Sequence, residues 1–70
     1  MKIQYFEETD TLCLVFKESE VAETKDLDEN TLVEFGGGGN LVSMTMEHAR
    51  ERTDVANLTF QRVPAMKPVA

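Results

Sequence analysis

The chain has 70 residues, the size of one small domain. With 41% apolar and 29% charged residues it is not a wholly disordered polymer. Thirteen acids against seven Lys and Arg give a net charge of −6, which argues against a domain that lives on nucleic-acid phosphates.

The dominant hydrophobic period is two, the period of strands. Lys2-Ile3-Gln4-Tyr5 alternates polar and apolar, and Glu7-Glu8-Thr9-Asp10 follows as a polar turn. Leu12-Cys13-Leu14-Val15-Phe16 is an unbroken apolar run, which predicts a central strand covered on both faces. Lys17-Glu18-Ser19-Glu20 is a second polar turn. Residues 21–27 form a weaker, charged strand of the kind found at a sheet edge. Asp28-Glu29-Asn30 is a turn, and Thr31-Leu32-Val33-Glu34-Phe35 is the next strand, with Val33 and Phe35 on one face.

Gly36 to Gly39 with Asn40 predicts a hairpin connection, because Gly and Asn adopt positive φ at low cost. Leu41-Val42-Ser43-Met44-Thr45-Met46 then alternates, with Val42, Met44 and Met46 inward. Glu47-His48-Ala49-Arg50-Glu51-Arg52 holds good helix formers but is too short to be helical alone. Thr53 and Asp54 suit a cap for one more turn, and Leu58-Thr59-Phe60-Gln61 returns to strand-like alternation. Pro64 and Pro68 break regular structure.

The expected fold is therefore mainly β (α+β): a small antiparallel β-meander of about five to six short strands with one short helical segment near the C-terminus. Residues 1–63 form the single β-rich domain, and residues 64–70 a flexible C-terminal tail. The short polar links argue for neighbouring strands joined by hairpins.

A chain this short buries only about 60% of the surface it exposes when unfolded, so it needs support beyond its own core. Cys13 is alone, which excludes an internal disulfide, and no Cys/His cluster offers a structural metal. No cofactor is implied. The remaining support is a partner chain, so a homodimer or a complex with another protein is expected. No apolar run has signal-peptide or membrane-span length. The expected location is cytoplasmic, with no membrane partner.

Charge is uneven along the chain. Residues 1–35 carry ten acids and three bases, a net of −7, and residues 36–70 carry a net of +1. The acidic half suits a basic partner or a solvated surface.

No constellation points to catalysis, and no catalytic, cofactor-binding or metal site is assigned. The glycine run lacks the following helix and the Lys-Ser/Thr of a phosphate loop. Asp26-Leu27-Asp28-Glu29-Asn30 begins like a calcium loop, but Thr31 and Gly37 stand where Gly and the bidentate Glu belong. Cys13 sits in the most apolar run, which makes a thiol inert. Ser43 lies mid-strand without a nucleophile elbow. His48, the one histidine, has Glu47, Glu51 and Asp54 near it in sequence. A structural hydrogen bond at the strand-to-helix junction is its expected role, and a ligand-binding protein or enzyme centred on His48 is the alternative.

The order and spacing of Met1-Lys2-Ile3-Gln4-Tyr5, Asp10-Thr11-Leu12-Cys13-Leu14, Val21-Ala22-Glu23-Thr24, Asp28-Glu29, Leu32-Val33, Gly39-Asn40-Leu41-Val42 and Glu47-His48-Ala49 resemble a bacterial and archaeal family, domain of unknown function 2283. The resemblance covers roughly residues 1–60. It differs at Gly36-Gly37-Gly38, where the family's turn is usually acidic. The resemblance implies a small β-rich fold with no established activity. Members are sometimes encoded beside small toxin-like proteins, which implies an antitoxin-like role with a small basic partner. The expected function is thus a small non-catalytic protein–protein interaction module.

Overall fold

The computed structural model describes residues 1–65. Five strands form one antiparallel sheet: β1 (Lys2–Phe6), β2 (Thr11–Val15), β3 (Glu23–Asp28), β4 (Thr31–Phe35) and β5 (Leu41–Glu47). A single turn of helix, α1 (Ala49–Arg52), follows. The expected fold class holds, with five strands. Residues 58–61, the sixth alternating segment, form no strand. The expected loose tail lies outside the described residues from position 66 onward.

The strand order is β1-β2-β5-β4-β3. Three links are the hairpins that the polar turns require. The link over residues 16–22 instead carries the chain past the end of the sheet to its far edge. Phe16 and Lys17 donate their N–H groups to the Val42 carbonyl on the way, and Ala22 donates to Phe35. The crossing runs close over Gly36, where an added Cβ would lie 3.3 Å from the Ser19 hydroxyl. The glycine turn closes with Gly36 N–H to the Asn40 carbonyl at 2.8 Å, and Gly39 has φ 82°.

Strand β3 is the charged edge that the sequence predicts, with all six residues exposed. Its pairing with β4 is irregular between Asp26 and Asp28, which blunts the edge against further pairing.

The apolar run in β2 is flanked by β1 and β5, so it is interior to the sheet. It is not covered on both faces as the run predicts, because every residue of β2 is half-exposed. The register explains why. Leu12 and Leu14 sit opposite Met46 and Met44, while Cys13 and Val15 sit opposite Thr45 and Ser43. Alternation therefore splits the run between two faces of one layer, and among the described residues no second sheet lies over either.

Candidate functional site

The register assembles one predominantly apolar face. Ile3 pairs with Leu14, Tyr5 with Leu12, Leu12 with Met46, and Val33 with Met44. Directly opposed residues share a face, so these side chains form a continuous apolar surface across four strands. Only its centre is buried. Val33 and Val42 are 3% and 5% exposed, whereas Leu12, Leu14, Met44 and Met46 are half-exposed. No large side chain among the described residues is fully buried. At the β3 edge the face closes with Lys25, whose Nζ stands 5.8 Å from the Phe35 ring centroid and 3.8 Å from Glu23.

One end of the sheet carries the polar machinery. The β1–β2 turn and the β3–β4 turn both lie at the end where β5 runs into α1, as the registers of Phe6, Thr11, Glu47 and Thr31 require. Helix α1 is tied to each turn by one aspartate. Asp10 accepts the Arg50 backbone N–H at 3.1 Å, the Arg50 Nε at 3.4 Å and the Tyr5 hydroxyl at 2.5 Å. Its own carbonyl accepts the Ala49 N–H, and Ala49 is wholly buried. On the other side Asp28 accepts from Arg52, 3.0 Å at Nη2, while the same guanidinium donates to the Thr31 hydroxyl.

These contacts set the charges. The Tyr5 hydroxyl, followed by Arg50, holds the Asp10 carboxyl below its ordinary range, and the same bond pushes the Tyr5 hydroxyl up. The Asn30 N–H, assisted by Thr31 and Arg52, lowers Asp28. Asp28 is thus engaged inside its own turn. Among the described residues no group of three or more His, Cys, Asp or Glu side chains comes together to hold a metal ion.

At the strand-to-helix junction His48 makes its hydrogen bond through the backbone and not through the imidazole. It sits at the helix N-cap position in the left-handed region, φ 55°, with no capping bond from its side chain. Its contribution is through the backbone: the chain reverses there from strand to helix, and the His48 carbonyl accepts the Glu51 N–H. Its imidazole is exposed, and its Nδ1 lies 3.9 Å from Glu51, outside hydrogen-bond range. Asp54 bonds Asn57 instead, inside the short turn that the Thr53-Asp54 pair predicts. Ser43 donates to the Glu34 carboxylate at 2.6 Å. Cys13 receives a weak bond from the Thr45 hydroxyl at 3.8 Å.

Two shallow depressions flank Tyr5. One, of about 450 Å³, is lined by Tyr5, Phe6, Glu7, Glu8 and Thr9. The other, of about 440 Å³, lies against Tyr5, Glu7, Arg50, Val55 and Ala56. Neither gathers an acid, a base and a nucleophile in one place.

The sequence profile of the family described as Protein of unknown function (DUF2283) matches residues 2–50. The chain belongs to that family. In DUF2283 terms the matched span holds all five strands and ends at Arg50, ten residues short of the extent of the sequence resemblance. No curated protein and no solved structure matched the chain. The Asp10–Arg50 and Asp28–Arg52 ties of this DUF2283 chain have no signature in the sequence. Their partners are 40 and 24 positions apart, and a local pattern registers only neighbours.

Proposed function

We propose that this chain is a non-catalytic protein–protein interaction module whose apolar sheet face is the docking surface. The observation that carries this reading is the half-exposure of Leu12, Leu14, Met44 and Met46 on one face of a single-layer sheet. A sheet that is apolar on one side gains its stability by burying that side against another layer. A second copy is the first partner to test, because the domain is too small to be well supported alone.

A small basic protein is the second partner class. The net charge of −7 over residues 1–35 supports it, as do the exposed acids Glu7, Glu8, Glu23 and Asp26. Nucleic acid has no part in this reading, which follows the net charge of −6. His48 has no part either.

The test is light scattering across a dilution series, on the full chain and on Leu14→Lys. Association that the wild type shows and the variant lacks supports the reading. A wild type that stays monomeric and binds no small basic protein encoded beside it overturns the reading.

A further inference from the structure

The segment after α1 is left unused by its own sheet. Leu58, Phe60 and Val63 are 64%, 79% and 75% exposed, and residues 58–65 form no strand. In an extended segment alternate side chains share a side. Leu58, Phe60 and Arg62 therefore make a line of two apolar groups and one cation.

The β1–β2 turn offers the complement. Tyr5 and Phe6 wall an open depression of about 450 Å³, and Glu7 and Glu8 lie on it as acids. The arm also starts beside this place, because Val55 and Ala56 line the adjoining depression with Tyr5 and Glu7. A two-fold axis near Tyr5 would bring the root of each arm next to the other copy's depression, so that little chain length is needed to cross.

Area points the same way. Five strands of about five residues project to roughly 24 Å by 17 Å, on the order of 400 Å². A stable dimer takes about 800 Å² from each partner. Side-chain relief raises the accessible area of the face, and an arm presenting Leu58 and Phe60 adds further apolar surface. The radius of gyration is 15.2 Å, against about 11 Å for a compact domain of this length, so the single chain has not folded all of itself onto its core.

We propose that residues 58–63 of one copy dock at the β1 edge of a second copy's sheet, with Phe60 entering the depression that runs along Tyr5 to Thr9 and Arg62 meeting Glu7 and Glu8, and that the two copies exchange these arms. The inference rests on the reading of the sheet face as a docking surface and names what the partner brings to it.

The experiment is sedimentation equilibrium on the full chain, on Phe60→Asp, on Arg62→Glu, and on Arg62→Glu combined with Glu7→Arg and Glu8→Arg. The expected result is a wild-type dimer whose Kd rises about tenfold or more in Phe60→Asp. It also rises in Arg62→Glu and recovers in the triple variant, because the charge reversal is repaired across the interface. Leu14→Lys separates the two claims. A dimer lost in Leu14→Lys but unchanged in Phe60→Asp overturns the arm exchange and leaves the docking face standing. A wild type that is monomeric, with a Tm lowered in Phe60→Asp, overturns it as well, because the arm then folds back on its own chain. Circular dichroism of each variant shows whether the sheet itself is intact.

Discussion

Asp10 and Arg50, forty positions apart, share one carboxylate at the start of α1. A helix of four residues cannot form by itself, and its first N–H groups have no partners inside it. His48 supplies no capping side chain, so Asp10 does so from a distant turn, while its φ of 53° and the Tyr5 hydroxyl aim it. The guanidinium contact is exposed and contributes little alone. The bond to the backbone N–H is the part that fixes where the helix begins.

Asp10→Gly, which keeps the left-handed backbone but removes the capping carboxylate, should therefore lower the Tm by a few degrees, and Arg50→Ala by less, since Ala retains the backbone N–H that Asp10 accepts. Thermal unfolding of both variants checks this order. An Arg50→Ala effect equal to that of Asp10→Gly would make the ion pair, not the cap, the working contact.

Acid should loosen the same end of the sheet. Asp10 and Asp28 both titrate below their ordinary range in the folded chain. A carboxyl whose folded pKa is depressed stabilises the fold above its unfolded pKa and loses that contribution as pH falls through the folded value. Stability should be level from pH 7 to 5 and fall below about pH 4. Denaturant unfolding against pH tests this, and the Asp10→Asn, Asp28→Asn double variant should flatten the acid limb.

The four glycines are not equivalent. Gly39 has φ 82°, so Gly39→Ala should cost about 1 kcal/mol. Gly37 has open space around it and no positive φ, so Gly37→Ala should be neutral or stabilising by about 0.5 kcal/mol through the unfolded chain. Chemical denaturation separates the two. Equal losses at both positions would mean that the turn needs flexibility along its whole length.

His48 gives a direct test of backbone against chemistry. His48→Gly keeps the left-handed conformation available and should change stability by no more than about 0.5 kcal/mol. His48→Val, which resists that conformation, should cost more than about 1 kcal/mol. Binding of any ligand that is abolished in the stable His48→Gly variant would restore the imidazole to a chemical role.

The strands were legible because each is a short alternating or apolar run closed by a polar turn, and the charged edge was legible because residues 23–28 carry almost no apolar side chain. The placement of β5 between β2 and β4 was not. Sequence shows which runs are strands, but Leu12 and Met46 find each other through a register that no local pattern records. The same run misled on coverage, since five successive apolar residues can mean two layers above a strand or two half-exposed faces. Leu58 and Phe60 alternate as a strand does, yet the sheet formed without them, because a strand needs an edge as well as a period.

The β2–β5 junction joins two pieces of different origin. The β1–β2 hairpin is local, and so is every link within β3, β4 and β5, but Cys13 and Thr45 face each other across 32 positions. Contacts that close a long loop are the slow ones to form. The rate at which this chain folds is accordingly set by one seam, and the glycine turn, which lies wholly inside the second piece, has little hold on it.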